Sequence, residues 1–299
     1  MVWPPLPLDD WIDTYATLHL WTQIVGKTRL ALSPRENHWW HVTLYVTARG
    51  LATPPMPHGT AIFDVEFDFV DHRLVIRTSE GDRRITPLGS RSVADFYREY
   101  LAALTELGLP VRFRAVPDEV EHPIPFEDDR QHATYDAEHV TRFWRALVQA
   151  DRILRRFRGR FAGKSSPVHF FWGAFYLALT RFSGRRAPER PDTSAMMREA
   201  MSHEEFSVGF WPGSGAVREP VYYAYAAPPP AGFSSASVRP SVAVYRPEIS
   251  NFILPYERVR AAAAPDAMVL DFFQSAYDAA ADLAAWDRPA LDRPQSEWA

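Results

Sequence analysis

Histidines, tyrosines and the chain's two lysines gather in and around two short boxes, and these are side chains that move protons and hold anions near neutral pH. One box reads Asn37-His38-Trp39-Trp40-His41 and the other Ser166-Pro167-Val168-His169-Phe170-Phe171-Trp172. Each follows a Gly-Lys pair, Gly26-Lys27 and Gly163-Lys164, and each has a Ser-Pro nearby, Ser33-Pro34 and Ser166-Pro167. His38, His41 and His169 are candidates for a general base, and Tyr45 and Tyr176, which align when the boxes are superposed, for hydrogen-bond donors. Trp39 and Trp172 would line an aromatic cavity, Lys27, Lys164 and Arg181 would contact an anionic group, and Trp211 would sit in a loop over it.

Each assignment has a plainer counterpart. Lysine occurs only at Lys27 and Lys164, the other basic residues being arginine. A retained lysine supplies a compact ammonium that can lose its proton, or it is simply a structural residue at a strand start. The segment Arg181-Phe182-Ser183-Gly184-Arg185-Arg186 reads as an anion clamp or as a solvated turn. Phe210-Trp211-Pro212-Gly213 is a lid or a hairpin end. His38, His41, His169, His203 and Glu204 are the residues from which a metal site could be assembled. A histidine pair three apart on a strand, however, points to opposite faces.

Composition excludes much else. The 299 residues contain no Cys, which removes disulfides, Cys-ligated zinc, iron–sulfur clusters and thiolate nucleophiles. A formal charge of −4 argues against a nucleic-acid surface or a polybasic membrane patch. Neither Gly-Lys has phosphate-loop spacing, and no dinucleotide fingerprint or Gly-x-Ser-x-Gly elbow is present. The longest apolar run, Val168 to Leu179, is too short to span a bilayer, and Met-Val-Trp-Pro-Pro lacks the form of a signal peptide. These features point to a soluble, cytoplasmic protein with a small-molecule ligand and no membrane or nucleic-acid partner.

The elements that would position the boxes recur. Trp11, Tyr15, Leu18, Thr22 and Val25 are spaced as on a helix, with Asp9 or Asp10 as N-cap. Val140, Phe143, Leu147, Leu154 and Phe157 form a second such helix, capped by Asp136. Further helices run from Ser92 to Leu107 and from about Asp266 to Leu283. Between them lie alternating runs. Trp40, Val42, Leu44 and Val46 form one face, with Trp39, His41, Thr43, Tyr45 and Thr47 opposite. Phe63, Val65, Phe67 and Phe69 back Asp64, Glu66 and Asp68. A turn at Asp71-His72 sets Glu66 across from Arg77 and Asp68 across from Val75. In the second half Phe171, Phe175, Leu177 and Leu179 oppose Trp172, Tyr176 and Thr180, and strands follow near Phe206 to Trp211, Tyr222 to Ala226 and Val242 to Tyr245. The non-core face of the first half gathers His41, Thr43, Tyr45 and the three carboxylates, as a site lining or as a solvated face of ion pairs.

The expected fold is therefore α+β, an internally duplicated helix–antiparallel strands–helix unit with helices on one face of the sheet. The first copy spans 1–116, a Pro- and charge-rich connection 117–135 and the second copy 136–299, all as one compact unit. Trp3-Pro4-Pro5-Leu6-Pro7, the run from Thr14 to Lys27 and the two His-aromatic boxes resemble a bacterial family known as domain of unknown function 5996. The resemblance covers nearly the whole chain and brings no activity, cofactor or catalytic residue with it. The functional expectation is a small-molecule enzyme or biosynthetic accessory with an aromatic, His-lined pocket between the halves. A non-catalytic binding protein and a His/carboxylate metal enzyme are the alternatives.

Overall fold

A computed structural model describes residues 2–294 and 296. A 3-10 turn at Leu8–Asp10 leads into α1 (Ile12–Leu32), and a second at Asn37–Val42 precedes the first group of strands. These are β1 (Tyr45–Val46), β2 (Gly50–Ala52), β3 (Met56–His58), β4 (Ala61–Asp68), β5 (Arg73–Thr78) and β6 (Arg83–Pro87), followed by α2 (Val93–Glu106). The second half contains α3 (Ala137–Gly159), β7 (His169–Phe171), β8 (Tyr176–Arg186), α4 (Ala195–Ala200), β9 (His203–Trp211), β10 (Val221–Ala227), β11 (Val244–Arg246) and β12 (Asn251–Pro255). It ends in α5 (Tyr256–Arg260), α6 (Pro265–Leu283) and α7 (Arg288–Leu291). The class is α+β, and the order helix, antiparallel strands, helix occurs in both halves.

The strands form two antiparallel six-stranded sheets. The first is ordered β1-β2-β4-β5-β6, with β3 beside β4, and the second β11-β12-β10-β9-β8-β7. Leu44 and Phe170 join their edges by exchanging both backbone hydrogen bonds, at 2.9 and 2.8 Å. The two boxes singled out in the sequence therefore meet where the sheets meet.

Each sheet packs helices on its inner face. Phe63, Val65 and Phe67 lie under α1 and α2, where Trp21 stacks on Phe96 at 4.6 Å. Phe206, Val208, Phe210, Tyr222 and Leu254 lie under α3 and α6. α1 is buried on nearly all sides, so its polar residues must find partners inside the protein. Ser92 and Asp136 cap α2 and α3 by accepting from the backbone of Asp95 and His139.

Several expectations change. Neither Asp9 nor Asp10 caps α1; its N-cap position is Trp11, because the two aspartates fall in the preceding 3-10 turn. The run after His38 is a strand only at its end, β1. Residues Asn37–Val42 form a 3-10 turn, with His38 and Trp39 at φ of 55° and 61°, and buried Arg29 holds it by donating to the carbonyls of Trp40, His41 and Thr43. The β4–β5 register is two residues away from the expected one, pairing Asp64 with Arg77 and Asp68 with Arg73. Asp68 Oδ1 accepts from the amides of Val70 and Asp71, which widens the loop to four residues. Trp172 lies in the β7–β8 turn and points inward.

Candidate functional site

The three carboxylates of β4 are explained by ion pairing. Asp68 binds Arg49 and Arg73, while Asp64 and Glu66 share Arg77, so this face is a cross-strand ladder of charges. His41, Thr43 and Tyr45 are not on it. They belong to the junction between the sheets, where Glu36 N–H donates to His41 Nδ1 at 3.3 Å and Arg29 lies over the Tyr45 ring.

Three other predicted contacts are internal. Lys27 is 3% exposed and pairs with Asp118 at 2.5 Å, 5.8 Å from the centre of the Trp172 ring. Trp172 is buried on Gly26, where a Cβ would come within 2.3 Å of the indole, and donates to the Val42 carbonyl at 2.6 Å. Arg181, 1% exposed, is enclosed by Phe157, Phe161 and Tyr277 on the core side of β8, and this burial brings its pKa down to about 9. All three side chains are packed inside the fold. Arg185, from the same basic segment, pairs with Glu204.

The remaining predicted residues converge on the outer face of the second sheet. Strand pairing puts His169 beside Ala178, Phe182 beside Glu205, Ser207 beside Thr180 and Tyr225, and Tyr223 beside Gly209 on that face. One part of it is covered by the His38 turn. Trp40 packs on His169 and Phe182, and His38 lies 4.5 Å from the Phe182 ring. Since a carbonyl only accepts, His38 Nδ1 donates to Ala200 O at 2.8 Å. Nε2 is then left to accept from Lys164 Nζ at 3.1 Å. Lys164 also lies over the Trp40 and Phe182 rings and has no carboxylate partner among the described residues. His203 stands edge-on to His38 at 5.4 Å. Burial lowers the His38 pKa and holds that of His169 at about 3, and among the described residues His169 Nε2 has no hydrogen-bond partner.

The uncovered part of the face is a cavity of about 560 Å³, within the range of small-molecule sites. Tyr176, Trp211, Tyr223, Tyr225, Arg190, Met201 and Asn251 are among its lining residues. Tyr176 and Trp211 were expected at such a place; Tyr223, Tyr225 and Arg190 were not. All of this lining comes from the second half, although Met201 follows directly on the Ala200 carbonyl held by His38. Gly209 makes room for Tyr223, whose hydroxyl donates to Leu177 O at 2.9 Å across the strand between them.

Glu205 lies beside these tyrosines and is 6% exposed. It accepts a long hydrogen bond from the Tyr225 hydroxyl, 3.5 Å, and no basic side chain among the described residues touches it. Burial pushes its pKa up to about 8, partly offset by Tyr225 and Arg190. The sequence does not single out Glu205 as a site residue. The signal that could have found Glu205 is the alternation of Glu205, Ser207, Gly209 and Trp211 against Phe206, Val208 and Phe210.

A larger groove, about 740 Å³, lies among α3, α6 and α7, but its charges are engaged in pairs such as Arg152–Asp266, Arg239–Asp271 and Arg288–Asp278. Among the described residues no three His, Asp or Glu side chains come together to hold a metal, so the set His38, His41, His169, His203 and Glu204 does not converge. Among the same residues no helix is long and apolar enough to cross a membrane. No curated protein and no solved structure matches the chain. A model described as a family of unknown function, DUF5996, matches residues 3–293, and the chain belongs to that family.

Proposed function

We propose that the protein binds a small organic molecule in the tyrosine-lined cavity and acts on it through Glu205, which gives or takes a proton. The observation that carries this is a carboxyl almost wholly removed from water, with no cation in contact among the described residues, that accepts from the hydroxyl of Tyr225, a wall of an open aromatic cavity. A pKa of about 8 suits a group that exchanges a proton near neutral pH. Tyr176, Tyr223 and Tyr225 are all pushed well above the ordinary tyrosine value by burial, so they serve as neutral donors and aromatic walls. Under the duplication reading, supported by the recurring element order, the first half keeps a packing role and the second half carries the cavity.

A thermal-shift screen of small molecules against wild type, Trp211→Ala, Tyr225→Phe and His41→Ala tests this. Hits abolished by the two cavity variants and retained by His41→Ala support it, and hits indifferent to both cavity variants sink it. Turnover of a hit that Glu205→Gln abolishes, with binding preserved, identifies an enzyme. Saturable binding without turnover identifies a carrier or sensor.

A further inference from the structure

Resting on that reading of the cavity, we infer that its ligand is a small zwitterion, with an alkylated ammonium held among Tyr176, Tyr223 and Tyr225 beside Glu205 and an anionic group reaching Arg190. The walls suit a cation. Tyr176 and Tyr223 stand at 84° with centroids 5.8 Å apart, and Tyr225 stacks beside Tyr223 at 6.2 Å, so three aromatic rings cluster in one part of the cavity lining. The chain uses the same chemistry nearby, where the Lys164 ammonium lies 4.9 Å from the centre of the Phe182 ring with no carboxylate partner among the described residues.

The polar groups select the kind of cation. The Tyr223 hydroxyl donates to Leu177 O and that of Tyr225 to Glu205, so what the walls offer an incoming cation is chiefly three ring faces and one carboxylate. An alkylated ammonium needs only the ring faces and one carboxylate. Arg190, also in the cavity lining, forms no ion pair among the described residues, and its guanidinium meets the sulfur of Met201 at 3.1 Å. It is available to a carboxylate or phosphate.

Seating a cation beside Glu205 favours the ionised carboxylate, so binding releases a proton at neutral pH. The groups that bear on Glu205 are Tyr225 and Tyr223 from β10, Tyr176 from β8 and Arg190 from the loop after β8. All three tyrosines are pushed upward by burial and stay neutral throughout the relevant range, so the titration that follows cation binding is that of Glu205. Affinity for the cation therefore rises with pH until about 8 and then levels.

Calorimetry on the full chain with γ-butyrobetaine, choline and the neutral isostere 3,3-dimethylbutan-1-ol separates the contributions. Choline is expected to bind about tenfold more tightly than the alcohol, and γ-butyrobetaine several-fold more tightly than choline. Arg190→Ala should bring γ-butyrobetaine to the level of choline. Glu205→Gln should weaken both cations, abolish proton release and leave the alcohol unchanged. If the alcohol matches choline, or if none of the three binds at millimolar concentration, the zwitterion assignment is overturned. Neutral hits from the thermal-shift screen that depend on Trp211 and Tyr225 would then leave the cavity reading standing, and an absence of cavity-dependent hits would remove both.

Discussion

Glu205→Gln should change the pH dependence of stability in a direction fixed by the burial of the carboxyl. The folded protein holds this group at about 8, against an ordinary 4.5, because charge is disfavoured away from water. With the folded pKa raised, the contribution to stability is fully present below about pH 4.5 and is lost as pH rises to about 8. In that window the unfolded chain has released its proton while the folded chain retains it. The slope is about 1.4 kcal/mol per pH unit, and the whole displacement corresponds to at most roughly 5 kcal/mol.

Glutamine has nearly the same shape and cannot ionise, so the variant lacks this slope. Above pH 8 it should be more stable than wild type by a few kcal/mol, less about 1 kcal/mol for the altered contact with Tyr225. Urea unfolding followed by tryptophan fluorescence, on both proteins from pH 5 to pH 9, measures the difference. His19, His38 and His169 titrate in the opposite sense, but they are common to both proteins and cancel. Parallel stability curves would refute the reasoning, since they would mean that Glu205 is solvated or already ionised at neutral pH.

Three further outcomes follow from the core. Gly26→Ala drives a Cβ into the Trp172 indole, and a loss of about 1–3 kcal/mol in thermal or urea unfolding is expected, partly recovered by a second change, Trp172→Leu. Asp118→Ala leaves the Lys27 ammonium buried and unpaired at a cost of about 3 kcal/mol, whereas Lys27→Met frees a half-exposed carboxylate and costs about 1 kcal/mol; equal losses would contradict the asymmetry in burial. His169→Phe removes an imidazole that burial holds at about 3. Wild-type stability is therefore lost as pH falls below about 6.5, at up to 1.4 kcal/mol per pH unit, and the variant should show a flatter acid limb in the same unfolding assay.

What the sequence disclosed follows from which forces act locally. α2, α3 and α6 each bury one stripe, and the caps Ser92 and Asp136 sit where their side chains reach a backbone amide, so periodicity and capping located them. The His38 turn was misread because alternating aromatic and polar residues imitate a strand. What makes it a 3-10 turn is Arg29, which gathers three of its carbonyls from a helix that precedes it. Glu205 was passed over for a similar reason. It is flanked in the sheet by β8 and β10, neither of which is visible in the local pattern Glu204-Glu205.

The polar stripe His19, Gln23 and Lys27 on α1 connects these observations. Its members are four residues apart on one side of a buried helix, and all find partners on other segments. His19 donates to the carbonyls of Trp172 and Gly173. Gln23 grips both backbone groups of Asp118, accepting from its N–H at 2.8 Å and donating to its carbonyl at 2.9 Å, and Lys27 pairs with its carboxylate. Glu119 in turn packs against Gly173, where a Cβ would meet its carboxylate at 2.6 Å. The β7–β8 turn is thus fixed from α1, from the connection and, through the Trp172 indole, from Val42. Tyr176 is the first residue of β8 beyond that turn, and it forms one wall of the cavity. Among the described residues the first half contributes nothing to the cavity lining, yet its contacts hold the turn from which a cavity wall begins. This explains why the boxes with the most distinctive sequence lie at the junction of the sheets, beside the cavity rather than in it.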